Sequence, residues 1–135
     1  MDENNIPAIL KIHGDKIGEV NFQSNVAGTT FIKNSASLLQ FLKNKVPISE
    51  VILLLFREPE NQYDKNAVRV EVTLKGSKRS GKIGYIPKDV APLLSYVLLY
   101  PEKYIVNIHD IHFAGGDELK PNIGIFFEYN ILPKN

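Results

Sequence analysis

The stretch Phe56-Arg57-Glu58-Pro59-Glu60-Asn61-Gln62-Tyr63-Asp64-Lys65-Asn66-Ala67-Val68 decides the architecture, because it separates two runs that read as strands. Upstream, residues 51–56 are six consecutive apolar side chains, a pattern suited to a strand buried on both faces. Downstream, Val68, Val70, Val72 and Leu74 alternate with Arg69, Glu71 and Thr73, the period-two pattern of a half-buried strand. The stretch between is polar and carries Pro59, so it reads as a loop. Asn and Asp build turns by hydrogen-bonding nearby backbone, and the same groups can display donors and acceptors to a ligand beside the ring of Tyr63.

Working outward, residues 76–81 form a basic loop and 82–86 a short strand. Pro87 suits the start of a helix running to about Leu99, with Val90, Leu93, Leu94, Val97 and Leu98 inward and Pro101 at its end. Strands are expected at 104–113 and 122–129, flanking Gly115-Gly116-Asp117. Towards the N-terminus, residues 9–13 and 17–23 read as a hairpin turning at Gly14-Asp15-Lys16, and 25–32 as a third strand. Residues 35–45 read as a helix capped by Asn34 or Ser35, with Leu38, Leu39 and Leu42 on one face and Val46-Pro47 as its stop. About eight short strands and two helices without β-α alternation predict a β-rich α+β fold with a small, strongly curved barrel.

The chain has 135 residues, the size of one domain, and no linker or repeat divides it. Its 44% hydrophobic and 23% charged content exclude a disordered tail and a coiled-coil rod. Cysteine is absent, which removes disulfides, a thiol nucleophile and thiolate metal sites. Residues 1–5 are acidic and polar, unlike a secretory leader, and six apolar residues in a row fall far short of the roughly 20 that span a bilayer. A soluble, intracellular protein with no membrane partner is expected. Net charge is +1, yet residues 33–88 hold eleven basic and five acidic side chains, and the rest five basic and ten acidic. Such asymmetry fits an anionic partner for the middle segment, or two halves that attract each other within one fold.

Enzyme constellations are weak. Glycine-rich phosphate loops of either common pattern are missing. On a regular strand His109 and His112 fall on opposite faces, so no metal site is expected from them. Glu58, Glu60 and Asp64 share one loop and could form a carboxylate pair or a magnesium site, but no nuclease pattern surrounds them. No cofactor is expected.

The loop sequence, followed by Gly81-Lys82-Ile83-Gly84-Tyr85-Ile86-Pro87-Lys88 and preceded by Val26-Ala27-Gly28-Thr29-Thr30-Phe31, resembles the signature of the HIRAN domain family. The motifs span residues 25–99 within a single domain of residues 1–135; residues 1–24 form an N-terminal extension, and the helix at 35–45 looks like an insertion relative to eukaryotic members. The resemblance implies a modified OB-like barrel that holds a single-stranded DNA end with a free 3′-hydroxyl, as in domains attached to fork-remodelling helicases of DNA repair. It implies that Asn61, Tyr63 and Asp64 grip the terminal nucleotide and that Phe31 stacks on a base. It further implies that Lys88 meets a phosphate, with Tyr85 on the same edge and Lys82 along the backbone path beside Lys78 and Arg79. Each has a structural alternative: Phe31 as core, Tyr63 packed under the loop, Asp64 as a turn cap, Lys78 and Arg79 as solvated charges.

The resulting expectation is a non-catalytic domain that binds single-stranded DNA ends, with DNA and RNA left undistinguished, and that serves a helicase or nuclease partner. The rivals are a protein-interaction module docking through residues 51–56 or the 35–45 helix, and a small metal-dependent nuclease or phosphodiesterase on Glu58, Glu60 and Asp64.

Overall fold

Alternation in the valine-rich run builds the centre of the first sheet. In the computed structural model, which describes residues 6–134, Val68, Val70 and Val72 of strand β3 (Val68–Leu74) are buried, while Arg69 and Glu71 face the other way. Strand β2 (Val51–Arg57) pairs antiparallel with β3 along its whole length, and β4 (Gly81–Tyr85) pairs on the other side with a bulge at Val70/Glu71. β2 is not buried on both faces as expected. It is an edge strand that buries Val51 and Leu53 and leaves Ile52 and Phe56 39% and 38% exposed.

The second sheet has the order β1-β6-β5, from β1 (Phe22–Asn25), β5 (Tyr104–Gly115) and β6 (Ile123–Pro133). Alternate residues of β6, Ile125, Phe127, Tyr129 and Ile131, are almost completely buried. Burial pushes the Tyr129 phenol up to about 12, and Phe22 stacks on its ring at 5.2 Å. In β5, His109 stands opposite Glu128 and His112 opposite Phe126, so residues 110–111 face only one partner residue across the strand. This bulge corrects the histidine reading. Paired residues share a face, and Glu128 and Phe126 lie two apart, so His109 and His112 are on the same face of the sheet.

Helix α2 (Ser35–Lys45) forms where the pattern predicts it and buries Leu39 and Leu42. Neither expected cap operates: Asn34 adopts a left-handed backbone, and the Ser35 hydroxyl donates to the Thr29 carbonyl instead. Helix α3 (Ala91–Leu99) starts later than Pro87, whose carbonyl accepts from the Val90 and Ala91 amides, and Pro92 sits in its first turn. Of its expected inward residues Leu94 and Val97 are buried, and Val90, Leu93 and Leu98 are half-buried.

The N-terminal third departs most from expectation. Residues 9–13 and 17–23 do not form a hairpin; helix α1 (Ala8–His13) runs into a 3-10 turn (Gly14–Glu19), and only Phe22–Asn25 pairs as a strand. The physical reason is the burial pattern, since Leu10 and Ile17 alone are buried in residues 8–19, seven residues apart, with no alternation to satisfy a sheet. The strand expected at 25–32 shrinks to one bridge pair, Ala27 with Tyr85, because Gly28 turns left-handed at φ +71° into a 3-10 turn (Thr29–Phe31).

Six strands and three α-helices are therefore present among the described residues, against an expected eight and two. Their pairing gives two three-stranded sheets joined by the Ala27–Tyr85 bridge, and the strands do not close into a barrel. The shared core lies between the sheets and is covered by α2 and α3. No described helix is long and apolar enough to cross a membrane, and the polar stretch 1–5 lies outside the described residues.

Candidate nucleic-acid interface

The bridge between the sheets also builds the site. Ala27 and Tyr85 exchange two backbone hydrogen bonds, 2.7 and 2.9 Å, and the Ile86 amide donates to the Val68 carbonyl at 2.9 Å. This close approach requires glycine at position 84: a Cβ there would lie inside the van der Waals shell of the Ala27 carbonyl and 2.8 Å from Val26 Cγ1. The chain leaving Ala27 turns at Gly28 and lifts Phe31 into solvent, where it is 89% exposed.

The loop after β2 closes on itself. The Glu58 amide donates to the Ala67 carbonyl at 2.9 Å. Asn61 Oδ1 accepts from the Tyr63 and Asp64 amides at 2.9 and 3.1 Å, and its Nδ2 donates to Glu58 Oε1 at 3.1 Å. Asp64 Oδ1 accepts from the Asn66 amide at 2.9 Å, while Oδ2 has no hydrogen bond among the described residues. The turn-building alternative is thus realised by the Asn61 oxygen and by one oxygen of Asp64. Tyr63 is 84% exposed, so it does not pack under the loop. Phe31, likewise, is not core.

Beneath the loop, Glu58 is the hub of a polar network with its side chain only 12% exposed. It accepts from the Tyr85 hydroxyl at 2.9 Å and from Arg69 at 3.2 Å, with Lys82 Nζ 4.0 Å away. Burial pushes its carboxyl up, but hydrogen bonds from Asn61, Tyr85 and Arg69, with the Lys82 charge, outweigh burial and hold it below its ordinary value. Lys82 donates to the Tyr85 hydroxyl at 2.6 Å and its ammonium lies 4.4 Å from the centre of that ring. Arg69 also binds Glu71 at 2.6 Å. Of the three carboxylates suggested for a metal-dependent nuclease, Glu58 and one oxygen of Asp64 are thus engaged in holding the loop, while Glu60 is exposed.

Between loop and strand lies a cleft of about 490 Å³. Asn61, Tyr63, Asp64, Lys82, Tyr85 and Lys88 all line it, and Gly28 and Ile32 on either side of the Phe31 turn do too. Six of the seven residues singled out in the sequence therefore meet in one cavity, and Phe31 stands at its margin. Lys78 and Arg79 do not line it; they belong to the β3–β4 turn at the opposite end of β4 from Tyr85. Sequence reasoning missed Glu58 and Arg69 as supports of the loop. Their signal was present as an acid at the end of one strand and a base on the outward face of the next.

These features define a two-sheet β-rich domain whose inter-sheet bridge carries a cleft with a fixed polar loop and exposed rings. The family model of the HIRAN domain matches residues 19–125, and the chain belongs to the HIRAN domain family. Among solved structures, the HIRAN domain of human HLTF is similar at 17% identity and a TM-score of 0.49, covering 85% of this chain and 77% of that one. No curated protein matches the chain in sequence.

Proposed function

We propose that this chain is a non-catalytic domain that takes the 3′-hydroxyl end of single-stranded DNA into the cleft between the Asn61–Asp64 loop and the Tyr85–Lys88 segment. The observation that carries the reading is the pair of uncovered rings, Phe31 and Tyr63, beside a cavity lined by two lysines. An exposed aromatic face stacks on any base and contributes about 1–3 kcal/mol without sequence preference. Lys88 is exposed and supplies a phosphate contact, and Lys82 supplies a second from its position over Tyr85. The free Asp64 oxygen accepts a hydrogen bond from a terminal hydroxyl, whereas a terminal phosphate would bring like charge against it. Acting without a motor or nuclease motif of its own, the domain would mark an intracellular DNA end for a helicase or nuclease in repair.

Fluorescence anisotropy with labelled single strands tests this. A strand ending in 3′-hydroxyl should bind at least about tenfold tighter than its 3′-phosphorylated twin, roughly 1.4 kcal/mol. Asp64→Asn should narrow the gap by removing the repulsion. Equal affinity for both ends in the wild-type protein would refute end recognition, and shortened strands after incubation with magnesium would refute the non-catalytic reading.

A further inference from the structure

The β5 bulge builds a second constellation, which shares no residue with the cleft. Asp110, at φ +51°, lies within the bulge beside His109, and Glu128 stands opposite His109 on β6. One imidazole nitrogen and one oxygen from each carboxylate all lie within 4.8 Å of one another. Residues outside this trio fix which nitrogen faces the acids. Asn130 Nδ2 donates to the Val20 carbonyl at 2.9 Å, so the amide must present its oxygen to His109 Nε2, also at 2.9 Å. Nε2 therefore carries a hydrogen, and Nδ1 is the atom that faces Asp110 Oδ2 at 2.9 Å. Asn21 holds the Oε1 oxygen of Glu128. Among the described residues, neither lysine nor arginine forms an ion pair with Asp110 or Glu128.

We propose that His109 Nδ1, Asp110 and Glu128 form a binding site for one zinc-class divalent cation. An imidazole that donates its far N–H to a fixed oxygen while its near nitrogen faces carboxylates has the outer-shell arrangement that orients metal-ligating histidines. With Nε2 protonated, the 2.9 Å approach of Nδ1 to Asp110 Oδ2 is itself a hydrogen bond, so the ion takes the place of the Nδ1 proton; the two carboxylates and the imidazole left neutral then carry a net charge of −2 for a divalent ion to balance. The nitrogen ligand selects zinc over magnesium or calcium, which prefer all-oxygen shells. In a tetrahedral shell with bonds of about 2.0–2.2 Å the ligand atoms lie about 3.3–3.6 Å apart, so atoms now up to 4.8 Å apart must close by as much as about 1.5 Å, within reach of side-chain rotation on this exposed face. Any proton on Nδ1 leaves to solvent as the ion enters, and the fourth position is filled by water from the exposed side of Asp110.

Calorimetric titration of the tag-free protein with zinc chloride, and separately with magnesium chloride, tests the site at neutral pH. One zinc per chain is expected, bound at least about a hundredfold tighter than magnesium. His109→Gln and Asp110→Asn should each weaken zinc at least tenfold, and asparagine tolerates the left-handed backbone at position 110. Asn130→Ala, which removes only the orienting oxygen, should weaken it about 10–100-fold. Nitrogen-15 spectra of the wild-type protein give a readout independent of variants: zinc should shift His109 Nδ1 while Nε2 keeps its proton. Zinc affinity no better than that for magnesium, affinity unchanged by His109→Gln, or a shift at His13 or His112 in place of His109 would each overturn the proposal.

Discussion

Replacing Gly84 with alanine adds one methyl group at the place where the two sheets touch. The new Cβ would overlap the Ala27 carbonyl oxygen and sit 2.8 Å from Val26 Cγ1 and 3.4 Å from Thr29 Cγ2. The Ala27 oxygen and the Val26 methyl cannot swing away, because Ala27 is backbone-paired to Tyr85 and Val26 is buried with its amide on the Ile125 carbonyl. The segments must separate, and the 2.7 and 2.9 Å bonds between Ala27 and Tyr85 lengthen or break. Two backbone bonds at about 1 kcal/mol each, with overpacking at about 1–3 kcal/mol, give a loss of about 3–5 kcal/mol. At about 3 °C per kcal/mol for a chain of this size, the melting temperature should fall by about 9–15 °C. Because the same movement pulls the Phe31 turn away from Tyr85, single-strand binding should weaken even at temperatures where the variant is folded. Circular dichroism melts and anisotropy on one preparation measure both effects. A Gly84→Ala protein that melts within about 2 °C of wild type would refute the argument from close approach.

Phe31→Ala and Tyr63→Ala should leave the melting temperature nearly unchanged, since both rings are exposed, yet each should lower single-strand affinity by about 1–3 kcal/mol; unchanged affinity removes that ring from the site. Glu58, whose carboxyl lies below its ordinary value near 4.5 in the fold, contributes stability that is fully present above that value. That stability is lost as pH falls through the folded pKa, so the gap between wild type and Glu58→Gln should be wide at about pH 7 and shrink at about pH 3. Urea midpoints at the two pH values check this, and a constant gap would show that the charge of Glu58 does not matter. Lys88→Ala should weaken binding at any sequence and reduce the salt dependence by about 0.7 in log K per log[salt], the share of one phosphate on a single strand. An unaltered slope would place Lys88 outside the phosphate path.

The fold was legible where local patterns agree with tertiary burial. β3 follows its valine alternation and α2 its leucine spacing because each turns one apolar face to the core. The N-terminal segment failed for the opposite reason: Ile9, Ile12 and Ile17 are β-branched, but only Ile17 is buried, and the chain there lays a 3-10 turn on β6 with α1 packed against that turn. The bulge in β5 was invisible because nothing in His109-Asp110-Ile111-His112 marks an extra residue until a partner strand is aligned beside it. Closure into a barrel is likewise a property of strand pairing, and Gly28 limits that pairing between the sheets to one bridge.

Six of the seven candidate residues come together in one cleft, but the electrostatics around it were not legible in the sequence. Sequence places a net +6 on residues 33–88, which suggests a basic surface for an anionic strand. The structure disperses that charge. Arg69 pairs with Glu58 and Glu71, the Arg57 Nε donates to Ser95 at 3.3 Å, Lys43 binds the Gly115 carbonyl, and Lys78 and Arg79 sit at the far turn. Among the described residues the ion pairs do not cross between residues 33–88 and the rest. What remains at the cleft is Lys82, held by Tyr85, and Lys88, exposed. Two cations reach one or two phosphates and cannot grip a long strand, so electrostatics contributes little affinity and little register. Under the proposed function, discrimination would then come from groups with direction: the two exposed rings as stacking faces, and a carboxylate oxygen aimed by its turn. A site with few charges and several oriented contacts suits a terminus, where only one nucleotide needs to be held.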